Sequence, residues 1–570
     1  MSLKQVMNWV DPNGSVQSIN ELSNLIGVKP PVSLRQLIKA AARWRIVNQQ
    51  LIKHVFVVML ENRSFDHLFG YAILSGTDAV SGQPTETNGL IAENFSNIDP
   101  VSGLSVPATH PAHFKLSVNN PDPPHEFSDV LTQLCGLGAT LDAQNKLPGG
   151  GYPPSNNPIN NSGFVASYQA TSPLDFGVVM QCFETTQLPV LNTLTKEFAI
   201  CDQWFASIPG PTWPNRFFVH AATSGGMDDS PSTGDIIGSL GTGSDKFSFA
   251  NGTIYDLLQD KNRKFLIYTD DGTPQVAAIS PDRVDDFDDY IKDFEHFQDD
   301  LNSGHFEPSY IFIEPNYGAQ IPHATFEGGN SMHPIDDVRA GEKFIKTIYQ
   351  TIRNSPVWSS SLLIFVFDEH GGFFDHVAPP AAIPPGDHPT EDENNKHDFR
   401  FDRLGVRVPC LFVSPWIESN VIDHTRYDHS SILATVERLF GLPSLTNRDA
   451  AANDALHLLT RFEPRGDALS TLPDPAYGSF NPGNIHEEKV NLSPAAAVIP
   501  KKAEQTPEKP LGLSKYIQQK LIIALQKHLR LTPAAQRNVV LQEFKQIQTE
   551  LDAREYLQQV RNRTQTKSDA

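Results

Sequence analysis

The hydrophobic pattern of the chain is dominated by short apolar runs that end abruptly in polar residues. Residues 54–60 and 362–367 are almost continuously apolar and contain several β-branched and aromatic side chains. Such runs predict strands that are covered on both faces, as in the middle of an α/β sheet. The polar residues that follow these two runs are Glu61, Asn62, Asp368 and Glu369.

Similar runs predict three further strands, at 264–269, 309–314 and 408–413. Helical periodicity predicts helices over 34–52 and 335–352. Strands that alternate with helices across 54–445 predict a doubly wound α/β sheet. In such sheets ligands bind beyond the carboxyl ends of the strands, where the acidic residues lie.

Two segments lack this pattern. Residues 76–125 are rich in Pro, Asn, Thr and Asp and are predicted to form a long loop. Residues 282–300 are acidic with spaced aromatic side chains, which favours a solvated helix over a site.

Composition indicates an ordinary soluble globular protein, with 39% apolar and 19% charged residues in 570. The net charge of −21 argues against a protein that grips nucleic acid along its whole surface. Residues 501–570 differ, with 13 Lys and Arg against 7 Asp and Glu. The four widely spaced cysteines support neither a zinc knuckle nor a disulfide framework, so buried free thiols are expected.

No apolar run reaches the ~20 residues that a transmembrane helix needs, and no transmembrane segment is expected. The first residues lack the apolar core of a secretion signal. A cytoplasmic location is therefore expected for the sequence as it stands, and an extracellular or periplasmic one if the N-terminus was trimmed.

The two acidic strand ends suggest a metal site. Carboxylates and amide carbonyls are hard oxygen donors, so Glu61, Asn62, Asp368 and Glu369 suit a divalent cation. The alternative is that each of these side chains is a helix cap or a solvated loop residue.

A second place with chemical potential is 210–216, where Thr212 precedes a predicted helix. The N-terminus of a helix stabilises anions, so Thr212 could attack a phosphoryl group there. The alternative makes Thr212 an N-cap and Arg216 a surface cation. His125 and His333 also lie just before predicted helices, where a lone histidine is usually a solvated or capping residue.

Six motifs, in this order, resemble a known family. The chain is similar over residues 53–445 to the phosphoesterase family of phosphatidylcholine-preferring bacterial phospholipases C and related acid phosphatases. The matching positions are 61–67 (ENRSFDH), His125 after its prolines, 210–216 (GPTWPNR), 331–334 (SMHP), 368–376 (DEHGGFFDH) and 427–433 (YDHSSIL). The resemblance implies an alkaline-phosphatase-like three-layer α/β fold, with a mostly parallel central sheet and helices on both faces.

The resemblance also implies metal-dependent hydrolysis of a phosphate ester. Glu61, Asn62, Asp368 and Glu369 would hold one or more divalent metal ions, with help from Thr212. Thr212 would be the nucleophile of a phosphothreonine intermediate, because metal coordination lowers the pKa of a hydroxyl.

Three histidines would complete this site. His125, His333 and His376 would surround the phosphate and donate hydrogen bonds to its oxygens or a proton to the leaving alkoxide. The substrate would be a phosphate ester, with a phospholipid as one candidate.

Two departures from the family leave the substrate open. The lipase branch carries an export signal and C-terminal β-rich domains, whereas this chain ends in a predicted helical tail. The acid phosphatase branch usually has Ser at the position of Thr212. A phospholipase C-like phosphodiesterase is the first hypothesis, an acid phosphatase the second and a catalytically silent scaffold that uses its tail the third.

The chain is predicted to have four regions. They are an N-terminal helical lead-in (1–53), a phosphoesterase catalytic domain (54–463), a Pro- and Ala-rich linker (464–512) and a C-terminal amphipathic helical region (513–570). The apolar positions of the last region could cover the body or mediate self-association.

Overall fold

The computed structural model describes residues 6–477 with short gaps, together with scattered positions between 521 and 560. The gaps in the first range are 8–9, 12–17, 29–33, 117–119, 173–174, 233–234, 237–238, 240–245, 272–273, 285–286, 319–327 and 388–393. The predicted linker therefore lies largely outside the described residues.

Within this part of the chain, ten strands form one sheet and two form a separate hairpin. The strands are β1 (His54–Leu60), β2 (Ser75–Asp78), β3 (Pro84–Glu86), β4 (Ser96–Ile98), β5 (Ser105–Pro107), β6 (Ala199–Cys201), β7 (Phe265–Thr269), β8 (Ile291–Asp293), β9 (Tyr310–Glu314), β10 (Ser361–Phe367), β11 (Cys410–Val413) and β12 (Val421–Asp423). The order of the large sheet is β3-β2-β12-β6-β11-β10-β1-β9-β7-β8, and β4 pairs with β5.

The centre of the large sheet is parallel. β1 pairs in parallel with β9 on one side and with β10 on the other, and only β3 and β11 run against the other described strands of this sheet. Every residue of β1 and β10 is buried, as continuous apolar runs require. The pairing of these two strands is in register along their full length and ends with Leu60 opposite Phe367.

The described part of the chain contains both long and short α-helices. They are α1 (Ile19–Leu25), α2 (Leu34–Asn48), α3 (Phe65–Phe69), α4 (Phe127–Cys135), α5 (Phe164–Thr171), α6 (Pro189–Glu197), α7 (Thr212–Ala221), α8 (Ile254–Asp260), α9 (Phe297–Asn302), α10 (Val338–Arg353), α11 (Ser430–Phe440), α12 (Asn447–Ala451) and α13 (Arg537–Lys545). Among these residues, none of the helices combines the length and the apolar character needed to cross a bilayer.

The helices around the sheet fall into two packed groups. α6 and α9 both pack against α10, while α7 packs against α8 and α11, and α11 also contacts α12. Because both faces of the central strands are buried, these groups cover opposite sides and produce three layers. The predicted α/β fold with a mostly parallel sheet and helices on both faces is confirmed.

The predicted strands and helices agree closely with the structure, but two segments were predicted wrongly. The segment 282–300 contains the edge strand β8 and part of α9 rather than one solvated helix. The segment 76–125 contains most of β2 and all of β3, β4 and β5. These strands have three or four residues each, too short for a visible period-2 pattern.

The two ends of the chain carry their own apolar clusters. In the N-terminal region, Val6, Leu22 and Leu37 pack together with Phe462. In the C-terminal region, a separate apolar cluster contains the buried residues Leu521, Leu525, Val540, Phe544, Ile547, Tyr556 and Val560. All four cysteines are buried and free, as predicted.

One buried acid joins two helices of the same layer. Glu342 of α10 is buried, and its Oε1 accepts a hydrogen bond of 2.9 Å from the backbone N–H of Leu191 in α6. Burial raises the pKa of Glu342 from 4.5 to about 8. The unfolded chain therefore ionises this group at a lower pH than the native protein does, so the native state loses stability as the pH rises from 4.5 to 8.

We expect Glu342→Gln to raise the free energy of unfolding at pH 8 by about 1–3 kcal/mol and to have little effect at pH 5. The amide keeps the hydrogen-bond acceptor and does not ionise. Urea titrations at both pH values measure the difference, with the exposed Glu295→Gln as control. An equal effect of Glu342→Gln at both pH values would contradict this account of the buried acid.

Candidate active site

The two acidic strand ends lie side by side. Because β1 and β10 end opposite each other, Glu61 and Asp368 are the first residues beyond the same edge of the sheet. The backbone N–H of Asn62 donates to Asp368 Oδ1 at 2.9 Å, and the N–H of Glu369 donates to the same oxygen at 2.7 Å. The four predicted metal ligands at these strand ends, Glu61, Asn62, Asp368 and Glu369, are all buried.

A buried arginine connects the two strand ends. Arg216 of α7 donates from Nη2 to Glu61 Oε1 at 2.6 Å and from Nε to Asp368 Oδ2 at 3.0 Å. Its Nη1 donates to the hydroxyl of Tyr317 at 2.9 Å. The alternative of a surface cation at this position is wrong, because Arg216 is buried and ion-paired.

The loop after β10 wraps closely around the segment after β1. Glu369 Oε2 accepts a hydrogen bond of 2.8 Å from the N–H of Gly371. Gly371 has a φ of +62°, and a Cβ there would lie 2.2 Å from the carbonyl oxygen of Asn62. Only glycine fits both the left-handed backbone and this approach. His370 belongs to the same loop. Its ring is buried, and its Nε2 donates to the side chain of Gln133 in α4 at 2.7 Å.

His125 lies against the predicted metal ligands. Its Nδ1 donates to the carbonyl of Pro123 at 2.7 Å, which fixes the ring. Its Nε2 is 3.3 Å from Asn62 Nδ2 and 3.8 Å from Glu369 Oε1. Burial lowers the pKa of His125, but the carboxylates of Glu369 and Asp122 outweigh this effect and raise it to about 10. These two carboxylates therefore favour the protonated form of His125.

Burial and mutual repulsion shift the pKa values of the carboxylates. Burial and the charge of Asp368 raise the pKa of Glu61 well above its usual value, although Arg216 opposes them. Burial raises the pKa of Asp368 to about 6, against the effect of Arg216. Burial also acts to raise the pKa of Glu369, but the cation of His125 outweighs it and lowers that pKa. The site thus concentrates negative charge that two side-chain cations offset only in part.

His333 is linked to His125 through the carboxylate of Asp122. Its Nε2 lies 3.3 Å from Asp122 Oδ2, and its Nδ1 accepts from the N–H of Ile335 at 3.4 Å. Buried Arg63 fixes the backbone on either side, donating to the carbonyl of Met332 at 2.7 Å and to that of His333 at 3.2 Å. Asp122 therefore faces His333 and also stabilises the cation of His125.

Thr212 is the first residue of α7 and is half-buried. It lies one turn before Arg216, on the same side of the helix, because residues four apart share a helix face. The turn before it is fixed by Asn215, whose side chain donates to the carbonyls of Gly210 and Pro211 at 2.9 and 3.0 Å. The N-cap of this helix is Pro211, not Thr212.

His376 belongs to a second buried cluster. Its Nδ1 donates to Asp66 Oδ2 at 2.7 Å, and its Nε2 lies 3.0 Å from Asn88 Oδ1. Arg407 pairs with Asp66 at 2.8 Å and with Asp375 at 3.1 Å. Asp66, Asp375 and His376 could together hold a metal ion, but both carboxylates already pair with Arg407. The structure does not bring His376 into contact with His125 or Glu369 among the described residues.

Two buried oxygen atoms without hydrogen-bond partners bear on the predicted metal site. Among the described residues, Asn62 Oδ1 and Glu369 Oε1 are buried without a hydrogen-bond partner. Buried oxygens without partners are costly, and two of them in a negatively charged site suit a hard cation. Both oxygens of Asp368 already accept hydrogen bonds. The donor set thus fits a divalent ion, with its open positions at Asn62 and Glu369.

Several neighbours of this site carried no recognisable signal in the sequence. Asp122 lies among prolines, and Tyr317 follows a strand. His429, which received no role from its motif, donates from Nε2 to the backbone carbonyl of Asp368 at 2.6 Å. Arg216 lay within a recognised motif, but its burial depends on the packing of α7 against the sheet.

Known proteins with related sequences are named phospholipases C. A family model described as "Phosphoesterase family" matches residues 52–443. "Non-specific phospholipase C3" of Arabidopsis thaliana is 34% identical over 473 residues, covering 79% of this chain and 82% of that protein. "Non-hemolytic phospholipase C" of Burkholderia pseudomallei is 26% identical over 519 residues, covering 83% of this chain and 68% of that protein.

A protein of the alkaline phosphatase superfamily from Vibrio parahaemolyticus is similar in structure, with a TM-score of 0.28 and 14% identity. The match covers 47% of this chain and 65% of that one.

The fold and the site define a hydrolase of the α/β class with a buried, metal-compatible acidic centre. The family match covers most of the chain and includes every residue of that centre. The chain belongs to the Phosphoesterase family and is a phosphoric ester hydrolase.

We expect Arg216→Met to lower the free energy of unfolding by about 3–5 kcal/mol at pH 8 in the presence of a chelator, because Glu61 and Asp368 lose their buried counter-charge. The loss should shrink below pH 6, as the carboxyl group of Asp368, whose pKa is about 6, becomes protonated. Urea titrations over this pH range measure the effect, with the exposed Arg400→Met as control. A variant as stable as wild type at pH 8 would rule out the bridge as a stabilising element.

Proposed function

We propose that the protein hydrolyses phosphodiesters in the manner of a phospholipase C, with Thr212 as nucleophile. One observation carries the proposal. α7 places Thr212 one turn from Arg216, whose guanidinium binds Glu61 and Asp368 directly. This spacing supports a hydroxyl at the helix N-terminus, on the helix face that carries Arg216, where backbone N–H groups favour a phosphate.

Metal dependence is part of the proposal. Glu61, Asn62, Asp368 and Glu369 would hold a divalent ion, with the hydroxyl of Thr212 completing the set. When bound, such an ion lowers the pKa of a coordinated hydroxyl and offsets phosphate charge. The unpartnered oxygens of Asn62 and Glu369 support this assignment.

Two displacements at phosphorus follow from a threonine nucleophile. In the first, Thr212 Oγ1 loses its proton and bonds to phosphorus, the bond from phosphorus to the leaving alkoxide breaks, and the alkoxide takes a proton. In the second, a water oxygen bonds to phosphorus, the Thr212 ester bond breaks, and Thr212 recovers a proton. Each displacement inverts the phosphorus centre, so the net result is retention.

His125 is the best-placed proton donor for the leaving alkoxide. The carbonyl of Pro123 holds its Nδ1, so Nε2 is the nitrogen directed towards Asn62 and Glu369. Its raised pKa, about 10, favours the protonated ring before the reaction. Asp122 supports that cation and is itself oriented by His333, so we assign His333 a positioning role.

The role of His376 stays a prediction. Both of its ring nitrogens face groups of the second cluster, Asp66 and Asn88. The transfer step above does not require it.

The proposed substrate is a phospholipid, with a diacylglycerol-type alcohol as leaving group. The support is that the related proteins from Arabidopsis and Burkholderia are named phospholipases C, and that the chain covers 82% and 68% of their lengths. A phosphomonoester is the alternative, and the choice of assay substrate separates the two.

We expect Thr212→Ala to lower kcat by roughly four orders of magnitude or more, because the attacking oxygen is removed. Thr212→Ser keeps a hydroxyl at the same position and should retain measurable turnover. Hydrolysis of p-nitrophenylphosphorylcholine and of p-nitrophenyl phosphate, each with and without chelator, provides the measurement, and far-UV circular dichroism verifies folding.

The proposed activity requires faster turnover of the diester and loss of turnover with chelator. Rapid acid quenching of the reaction with p-nitrophenylphosphorylcholine, followed by mass spectrometry, should find a phosphorylcholine group on the peptide that contains Thr212. Near-normal kcat in a folded Thr212→Ala protein would refute the nucleophile, and a strong preference for p-nitrophenyl phosphate would favour the phosphatase alternative.

A further inference from the structure

The hairpin β4–β5 exposes the apolar side chains at its tip. Ile98, Val101 and Leu104 are 53%, 83% and 68% exposed, and every residue from Pro100 to Ser105 is exposed. Single exposed apolar residues are common, but three within seven positions of one projecting turn form a patch. Nothing in the described part of the chain covers them.

The tip is held rigidly by its own hydrogen bonds. Asp99 is buried, and its carboxylate accepts from the N–H groups of Val101 and Ser102 at 3.0 and 3.2 Å and from the hydroxyl of Ser102. The N–H of Asp99 donates to the carbonyl of Leu104 at 2.9 Å. The apolar side chains are therefore presented on a preformed loop, which reduces the entropy that binding would cost.

The hairpin is attached to α5, and α5 contacts the active-site loop. Asn97 accepts from the N–H of Val165 at 3.2 Å, and Gln169 donates to Asp99 at 2.7 Å. At the start of the same helix, the ring of Phe164 packs edge-on against His370, the neighbour of Glu369, with centroids 6.0 Å apart.

A second connection runs through the start of the hairpin. The rings of Phe95 and His376 are 4.7 Å apart, which places the hairpin beside the end of the 368–376 motif. The hairpin is thus connected to the loop 368–376 that follows β10.

The charge of the hairpin defines the partner that fits it. Between 94 and 109 the only Asp, Glu, Lys or Arg is Asp99, and that carboxylate is buried. The exposed side chains between Ser96 and Pro107 are apolar or carry a hydroxyl. Anionic membrane surfaces are recognised by basic residues. Because this chain has a net charge of −21 and no Lys or Arg at the tip, the hairpin does not suit such a surface. Three apolar side chains also fall far short of the ~1,200 Å² that a stable protein interface buries.

We propose that the β4–β5 hairpin is a membrane-contact element that inserts Ile98, Val101 and Leu104 into the interface of a zwitterionic phospholipid bilayer. This inference rests on the proposed function, since it explains how the active site meets a substrate that resides in a bilayer. Apolar side chains that enter the headgroup region supply the binding energy, and the rigid attachment to α5 sets the site above the headgroups.

Insertion can be detected directly at the tip. Val101→Cys in the Thr212→Ala background, labelled with an environment-sensitive fluorophore, should show a blue-shifted and stronger emission with phosphatidylcholine vesicles. The four native cysteines are buried, so labelling is selective. The matched control is Val80→Cys, which is 58% exposed on the β2–β3 turn and lines a different groove beside α2. Identical behaviour of the two labelled proteins would overturn the proposal.

The contribution of the tip can be separated from catalysis. Val101→Ser combined with Leu104→Ser should weaken co-flotation with phosphatidylcholine vesicles and hydrolysis of vesicle lipid by roughly tenfold or more. Turnover of soluble p-nitrophenylphosphorylcholine should stay at the wild-type level, and 0.5 M salt should not release the wild-type protein from the vesicles. Val80→Ser is the control.

Failure of this inference differs from failure of the proposed function. Wild-type co-flotation in the double variant would overturn the hairpin as the membrane contact, whatever the activity. If the wild-type protein hydrolyses neither the soluble diester nor vesicle lipid, the proposed function fails, and the flotation result still decides the role of the hairpin.

Discussion

The in-register parallel pairing of β1 and β10 is the constraint on which the rest of the site depends. It ends with Leu60 beside Phe367, so the next residue of each strand, Glu61 and Asp368, must enter the same buried space. Like charges that are buried together are unfavourable unless cations compensate them. Arg216 supplies one such cation from α7, and in doing so fixes Thr212 one turn away. One helix thus carries both the cation that the sheet edge requires and Thr212.

The surrounding loops serve the same requirement. His125 brings a second cation to Glu369, and Asp122 and His333 keep it in place. Even so, the buried oxygens of Asn62 and Glu369 lack partners among the described residues, which leaves a position suited to a hard cation. The separate cluster around Arg407 differs, because all four carboxylate oxygens of Asp66 and Asp375 already accept hydrogen bonds within the protein.

The central strands and the residues that follow them could be predicted because a continuous apolar run carries its own signal. β1 was predicted to the residue, and β10 within one residue. Contacts between distant segments carry no such signal, so the burial of Arg216 and the pairing of Asp122 with His333 depend on tertiary packing. The strands within 76–125 were missed because each is too short to show a period-2 pattern. The resemblance of its motif grouped His376 with the other histidines, but a motif cannot reveal the hydrogen bond that His376 makes to Asp66.

The central claim is that two distant segments jointly hold one divalent ion beside Thr212. A crystal grown with Mn²⁺ and measured near its absorption edge would test it most directly. The account predicts an anomalous peak within about 2.0–2.6 Å of oxygens from Asn62, Glu369 and the Thr212 hydroxyl. A map with no peak there, or with its only peak between Asp66, Asp375 and His376, would contradict it.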